Sequence, residues 1–399
     1  MVYQKYQTPG VYLEKVPQPQ GTQLPTGIPG FVGFAPESIE GGIQNLDANT
    51  PRVLSRKQEF NPNGMDQLDA TGNPISYLSA AISGFFDNGG TRCYVVQAAM
   101  PDPDSPTTRQ TALQTSVDAL APIDDIDLIA VPDAALLPAS EMISVQQYVL
   151  NHCATQGDRI AILDSISSQH SFSIQDQRKL LKRAIEPING ALYYPWIKVP
   201  NPDLSSQEKT VWVPPSGHVA GIFARSDRNR GVFKAPANEE ILGVLDLEVL
   251  LNHTTQGALN EVGINGLRSF PGRGIRVWGA RTLSSEPTWR YINVRRLVLT
   301  IERWIHRNML WATFQLNSLQ LWLQIQRELS TYLESLWRAG AFQGQTPAQA
   351  FYVKCDAETN PPEVREIGSV ITEIGLAVSA PAEFLIIRIM QRDGGLVMV

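Results

Sequence analysis

The sequence predicts an α/β domain in the N-terminal half of the chain, an α+β domain in the C-terminal third, and an extended β-forming arm at each end. Three patterns support this fold class. Between residues 27 and 200, short apolar runs alternate with amphipathic helices, as in a largely parallel sheet covered by helices. Two long amphipathic helices follow and give way to strand-like runs. Prolines interrupt the first 22 residues too often for a helix or a central strand.

The outer α/β domain is assigned to residues 23–200. Its predicted strands are 31–34, 93–97, 128–131 and 159–163, and its predicted helices are 75–86, 108–120 and 140–155. Residues 201–280 are rich in Gly and Pro and contain only short periodic pieces, including a strand at 275–278. We therefore expect them to be loops and β-elements that connect the two domains.

The C-terminal core domain is assigned to residues 281–385 and begins with two helices. The apolar stripe of the first helix consists of Val294, Leu297, Val298, Ile301 and Ile305, and Arg296, Arg303 and Arg307 fall on the opposite face. The second helix spans about 319–336, with Gln324 and Arg327 on its polar face and Gly340 and Gly344 at its end. Strand-like runs at 351–353, 370–378 and 384–390 follow.

The two chain ends are predicted to be arms, at residues 1–22 and 386–399. Their β-forming residues are Val11, Tyr12, Leu13, Ile386, Ile387 and Ile389. Each arm can pair within its own subunit or be donated to the sheet of a neighbour. Head-to-tail donation builds rings or open helical assemblies.

Composition excludes several classes of protein. The AVILMFWYC share is 43% and there are 30 Gly among 399 residues, so disordered and collagen-like chains are excluded. The net charge of −6 gives no reason to expect nucleic acid or an anionic membrane as a partner. The charged share of 18% lies below the roughly 25% of ordinary soluble domains, which favours extensive protein contacts. The start of the chain lacks a signal-peptide pattern, so we expect assembly in the cytoplasm.

Charge is distributed unevenly along the chain. Residues 101–141 contain eight acids and one Arg, whereas residues 268–343 contain eleven Arg, four Glu and no Lys. We therefore expect the two regions to face different surroundings. Arg in preference to Lys suits hydrogen-bonded carboxylate contacts at interfaces, so an acidic protein partner is the favoured interpretation of the arginine face. A solvated helix face and nucleic acid are the alternatives.

No pattern in the sequence predicts catalysis, a metal site or a cofactor. The chain has no GxxxxGK[ST] loop and no HExxH motif. Ser216 and His218 could suggest a hydrolase, but Pro214 and Pro215 stand where a nucleophile elbow needs Gly-x-Ser. Asp124, Asp125 and Asp127 precede an apolar run and are typical of a loop. The three cysteines have no neighbouring base and are predicted to be buried thiols.

Several motifs, in order along nearly the whole chain, resemble the tail sheath proteins of contractile phages and of phage-derived contractile injection systems. They are TPGVYLEKV (8–16), GIPGFVG (27–33), GFFDNGGTRCYV (84–95), YPWIK (194–198), VPPSGHVAG (213–221), the loop at 265–281, YINVRR (291–296), FYVKCD (351–356), NPP (360–362) and PAEF (381–384).

This resemblance implies a structural, non-enzymatic protein. Its subunits would form hexameric rings stacked helically around an inner tube, with baseplate and terminal cap proteins as further partners. The arms would link neighbouring subunits by strand exchange. A trigger would release an extended, metastable sheath into a shorter, wider state that drives the tube through a target envelope.

Two further expectations follow from the resemblance. The C-terminal domain would line the tube, with Arg296, Arg303, Arg307, Gln324 and Arg327 as the tube-facing candidates. Neither nucleic acid binding nor membrane insertion is expected. The alternatives are an α/β hydrolase-like enzyme and a non-contractile tube or scaffold protein.

Overall fold

In the computed structural model, residues 24–34, 48–60, 75–101, 108–168, 173–186, 188–201, 209–383, 389–392 and 395–398 are described. The strands are β1 Pro29–Phe34, β2 Arg52–Leu54, β3 Cys93–Ala98, β4 Leu128–Ala130, β5 Ile160–Asp164, β6 Gly190–Tyr194, β7 Ile197–Pro200, β8 Thr210–Val213, β9 Asp246–Leu247, β10 Ile264–Phe270, β11 Gly274–Trp278, β12 Phe351–Lys354, β13 Glu373–Leu376, β14 Ile389–Arg392 and β15 Gly395–Met398. The helices are α1 Leu78–Asp87, α2 Arg109–Asp118, α3 Ala139–Gln156, α4 Ile174–Leu181, α5 Ser216–Arg230, α6 His253–Glu261, α7 Ile292–Asn308, α8 Leu319–Arg338, α9 Pro347–Ala350 and α10 Pro362–Glu366.

An eight-stranded sheet forms the centre of the α/β body. Its strand order is β11-β10-β6-β5-β4-β1-β3-β2, and all pairs are parallel except the two edge pairs β10–β11 and β2–β3. Helices α1 and α5 cover one face of this sheet, and α2, α3, α4 and α6 cover the other. The inner strands β1, β4 and β5 are buried along their whole length, as strands covered on both faces must be. The mixed α/β class predicted from the sequence is therefore observed.

Residues 209–280 belong to this body and do not form a separate connection. They contribute α5, which packs against α1, and strands β10 and β11, which extend the large sheet at one edge. Strands β7, β8 and β9 form a small antiparallel sheet, which packs on the face of the large sheet that α1 and α5 cover. The expectation of a loop-rich linker is corrected here, because Gly217 and Gly221 in α5 and Gly266 in β10 occupy close contacts inside a helix and a strand.

The C-terminal part of the chain has its own apolar core. Leu297, Ile301 and Trp304 of α7 pack against Leu329 and Leu333 of α8. The Trp304 ring stacks on Tyr332 at 3.9 Å between centroids, and the antiparallel pair β12–β13 closes the core. Helix α7 also contributes Ile292 and Leu299 to the core of the α/β body, so it is buried between the two parts.

Candidate functional site

The basic face of α7 points into the protein rather than into solvent at its first two turns. Arg296 is 2% exposed. Its guanidinium donates to both carboxylate oxygens of Asp227 at 2.8 and 2.6 Å and to Asp127 Oδ2 at 2.7 Å. Burial by itself would lower the pKa of Arg296, but the negative charges of Asp227 and Asp127 raise it above its ordinary value. A charged guanidinium between two buried carboxylates is the arrangement that makes such burial tolerable.

The next two arginines of the same face bind the acidic loop that precedes β4. Buried Arg303 donates to the carbonyl oxygens of Asp124 and Asp125 at 3.0 and 3.1 Å. Arg307 donates to Asp125 Oδ1 at 3.0 Å, and Arg92 pairs with the other oxygen of that carboxylate. Partial burial acts to raise the pKa of Asp125, but hydrogen bonds from Arg307 and Arg92 hold it below its ordinary value.

These contacts correct two expectations. The acidic loop and the arginine face do not face different surroundings, because they bind each other across a chain separation of 169 to 182 residues. Arg296 and Arg303 are assigned to internal contacts, since their guanidiniums are buried against this chain's own oxygens. Of the five tube-facing candidates, Arg307, Gln324 and Arg327 lie at the surface.

The surface candidates lie beside an exposed apolar region, which we call the α7–α8 tip. It consists of Leu310, Phe314, Leu316, Leu319 and Leu323, all strongly exposed. Phe314 has a positive φ of 64° and projects fully into solvent, an uncommon conformation for a bulky residue. Trp311 Nε1 bonds to Glu328 Oε2 at 2.9 Å and fixes the base of the tip on α8. Apolar side chains gathered at one place on a surface mark an interaction site.

The predicted arm residues lie mostly outside the described part of the chain. Val11, Tyr12, Leu13, Ile386 and Ile387 are among the residues that the structure does not describe. Ile389 begins β14, which pairs antiparallel with β15 in the register Ile389 to Met398. In the described residues these two strands pair only with each other.

The carboxyl edge of the large sheet, where open α/β sheets usually bind ligands, holds side chains that cap this chain's own helices. Asp133 follows β4 and accepts from the Phe34 and Tyr77 amides at 2.7 and 2.6 Å and from Ser76 Oγ at 2.7 Å, at the start of α1. Asp164 ends β5 and accepts from the Ser216 amide at 2.7 Å, at the start of α5. Burial raises the pKa of Asp133 to about 6 and that of Asp164 to about 7.

The hydrolase alternative gains no support from Ser216 and His218. Both are buried in the α1–α5 interface, and no hydrogen bond connects their side chains in the described chain. The His218 ring packs against Gly84, where a Cβ would lie 2.2 Å from Nδ1. Burial lowers the pKa of His218 to about 4. An imidazole enclosed in the α1–α5 interface is out of reach of an external substrate, so it cannot serve as the general base for one.

A cleft of about 250 Å³ lies between α4, α6 and residues 281–290, and it is lined by Arg178, Lys182, Glu261, Arg281 and Arg290 among others. No group of three or more His, Cys, Asp or Glu within the described ranges is placed to hold a metal ion. None of the helices that the structure describes has the length and apolarity needed to cross a membrane.

Family models match residues 109–392 of the chain. Residues 109–283 match the family model of the phage tail sheath protein central domain, and residues 284–392 match that of the phage tail sheath C-terminal domain. The tail sheath protein of Vibrio phage KVP40 is 27% identical over 182 residues, and that of Enterobacteria phage T4 is 28% identical over 157 residues. These alignments cover 45% and 38% of this chain but only 26% and 23% of the relatives, so the chain spans about a quarter of their length.

Solved structures match over nearly the full length of both chains. The helical sheath of the anti-feeding prophage in its contracted state superposes with a TM-score of 0.71 at 28% identity, covering 97% of this chain and 100% of that one. The sheath complex of the extracellular contractile injection system PVC, also contracted, gives a TM-score of 0.71 at 26% identity, covering 98% and 99%.

Proposed function

This chain belongs to the phage tail sheath protein family, and from that premise we propose that it is the structural subunit of a contractile sheath in a phage tail or a phage-tail-like injection system. The observation that carries the proposal is the full-length similarity to two sheaths of contractile injection systems in their contracted state. The subunits form hexameric rings that stack around an inner tube and are bounded by a baseplate and a terminal cap. The particle is assembled in the cytoplasm without insertion into a membrane.

Contraction requires the sheath to exchange one set of subunit contacts for another. In this proposal the extended lattice is metastable, and a kinetic barrier holds the free-energy difference until a trigger acts. The role is structural and needs no catalytic residue, cofactor or nucleic acid. Consistent with this, the carboxylates at the ligand edge of the sheet cap helices α1 and α5.

Strand donation by the two arms would keep subunits connected during this change. An isolated two-stranded sheet such as β14–β15 is marginally stable in water, and its outer edges can accept further strands. Pairing with a neighbour's arm, through Val11, Tyr12 and Leu13 at one end and Ile386, Ile387 and Ile389 at the other, would complete it. This is β-augmentation, in which main-chain hydrogen bonds supply the affinity.

The α7–α8 tip, together with Arg307, Gln324 and Arg327, is the surface we assign to the inner tube. Its apolar side chains can be buried against a partner, and its exposed cations and amide can bind acidic or polar groups at the rim. Surface contacts of this kind are individually weak, so they can be exchanged when the sheath contracts.

The first test is expression of the chain alone, followed by sedimentation and negative-stain electron microscopy. We expect hollow, striated tubes, and we expect deletion of residues 1–20 or 386–399 to abolish them. A monomer or a small closed oligomer, even with the inner tube protein present, would refute the proposal. A non-contractile lattice would have the same spacing when it surrounds the inner tube and after it is released from that tube. A contractile sheath would have two different lattice spacings.

A further inference from the structure

Two chain segments adjoin the terminal arms, residues 24–28 after the N-terminal arm and residues 378–383 before the C-terminal arm, and we call them the arm roots. Both are held by side chains from the first turn and a half of helix α7. Asn293 and Arg296 are three residues apart, so their side chains lie on one face of the helix. Asn293 faces the segment that leads to the C-terminal arm, and Arg296 binds the carboxylates that hold the segment leading from the N-terminal arm. Both side chains are buried, with exposures of 3% and 2%.

The N-terminal root is held through Asp127. This carboxylate accepts from the amides of Gly27 and Ile28 at 3.0 and 2.7 Å, and it receives Arg296 Nη2 at 2.7 Å. Gly27 has a φ of 72°, and a Cβ there would lie 2.5 Å from the backbone of Ala224 in α5. The chain therefore enters the body along one path, and Arg296 fixes the carboxylate that defines it.

The C-terminal root is held through Asn293 and Glu383. Asn293 Nδ2 donates to the carbonyl oxygens of Phe233 and Ser379 at 2.9 and 3.0 Å. Glu383, the last described residue before the C-terminal arm, accepts from Arg281 Nε and Nη2 at 3.0 and 2.6 Å. This bidentate pair is about 12% exposed, which places it among the stronger ion pairs of the chain.

Apolar contacts join the two roots as well. Leu24 from the N-terminal side and Val378 from the C-terminal side pack against the same core as Leu297 of α7. The described segments next to the two arms therefore contact the same helix and the same core.

We propose that Asn293 and Arg296 are positioning residues which hold the two arm roots in a fixed relation, so that a load applied by one neighbour through one arm passes through α7 to the other arm. This inference rests on the proposed function, since it requires that the arms bind neighbouring subunits. According to this inference, the continuity of the lattice depends on the contacts that join the two arm roots as well as on the arms.

The test compares Asn293→Ala with Asn88→Ala in the full-length chain. Asn88 is the control, because it is also buried and its Nδ2 also donates to two carbonyl oxygens, those of Gly84 and Leu242, away from both arm roots. Its Oδ1 also accepts from the Leu242 amide at 2.8 Å, so we expect Asn88→Ala to lower the thermal midpoint at least as much as Asn293→Ala. After a fixed shear, tubes of Asn293→Ala should be at least threefold shorter than tubes of Asn88→Ala.

Glu383→Gln provides a second variant that keeps shape and loses the charge that pairs with Arg281. We expect it to shorten sheared tubes as Asn293→Ala does, while its thermal midpoint changes less. Equal tube lengths for all three variants would refute the proposed role of the arm-root contacts and leave the proposed function intact. Failure of the unmodified chain to form tubes would overturn both.

Discussion

Buried carboxylates in this protein fall into two kinds that differ in what neutralises them. Asp127 and Asp227 share a buried guanidinium, and Asp227 also accepts a hydrogen bond from the Thr26 side chain. Asp133 and Asp164 have no cationic partner in the described chain and receive amides and hydroxyls instead. Desolvation raises the pKa values of Asp133 and Asp164, and it also raises that of Asp227 in spite of the neighbouring Arg296.

The pKa of Asp164 makes a prediction about pH and stability. Its folded pKa is about 7, against 3.8 as the ordinary value, so the folded state binds more protons than the unfolded state between about pH 4 and pH 7. Stability from this group therefore falls as the pH rises through that window. Asp164→Asn keeps an acceptor for the Ser216 amide without a charge. We expect its thermal midpoint, relative to the unmodified protein, to rise by a few °C from pH 5 to pH 8.

Two comparisons isolate this effect. The titration of His218, whose pKa is lowered by burial, has the opposite sign but is common to both proteins and cancels in the difference. Asp176 is exposed, and bonds with Ser173 and Lys179 lower its pKa. This carboxylate is therefore ionised in both the folded and the unfolded state from pH 5 to pH 8, and the difference for Asp176→Asn should stay constant over that range. A pH-independent difference for Asp164→Asn would show that this carboxyl group is not protonated in the folded state.

At the level of elements, the sequence predicts several of the regular strands and helices. It misses helices α4, α5 and α6, strands β6, β7, β8 and β10, and the contacts of α7. Strands β1, β3, β4 and β5 and helices α1, α2, α3, α7 and α8 lie within a few residues of their predicted positions, because burial on one or both faces leaves a clear period. Helix α5 contains Gly217 and Gly221, which have poor helix propensity and suggest a loop. Glycine is needed at both positions because of tertiary packing, since added Cβ atoms would lie 2.3 and 2.4 Å from the backbone of α1.

The arginine face shows a second limit of sequence reasoning. Periodicity establishes that Arg296, Arg303 and Arg307 share a face of α7. It does not identify their partners, because the acidic loop that binds them is 169 to 182 residues away in the chain. Arginines on a helix face have the same spacing in the sequence whether they bind internal carboxylates or are solvated. The partners of these arginines could therefore be identified only from the structure.

Two glycine substitutions, one inside the α1–α5 contact and one outside it in α6, should have opposite effects on stability. Gly217→Ala places a Cβ 2.3 Å from Ala81 Cα and forces the helices apart, so we expect a loss of about 1–3 kcal/mol in the free energy of unfolding. Gly257→Ala in α6 meets no atom within 4 Å and should gain about 0.5–1 kcal/mol from helix propensity. Chemical denaturation measures both. Equal free energies for the two variants would contradict the close contact.

At the scale of the whole molecule, α7 joins the α/β body to the C-terminal core by apolar and ionic contacts together. Ile292 and Leu299 lie in one core and Leu297 and Ile301 in the other, and Arg296 connects the helix to two carboxylates of the body. With such a joint, we expect the subunit to move as one unit. In the proposed sheath, changes in lattice geometry would then occur at the surfaces between subunits and at the arms.

The tip surface can be separated from lattice formation by a paired experiment. In Leu323→Gln/Arg327→Glu, two exposed residues of α8 lose apolar area and reverse a charge without touching the buried face of the helix. We expect the sheath-only tubes to form normally, while co-sedimentation with the inner tube protein from the same genome falls at least tenfold. Arg338→Glu is the control, since Arg338 lies at the far end of α8, is 71% exposed and pairs only with Glu334 in the described chain. Because reversal at Arg338 changes the net charge by the same amount, a long-range effect of charge would weaken both proteins equally, whereas contact through the tip weakens the double variant alone. Retained co-sedimentation of the double variant would place the tube on another surface of the C-terminal domain.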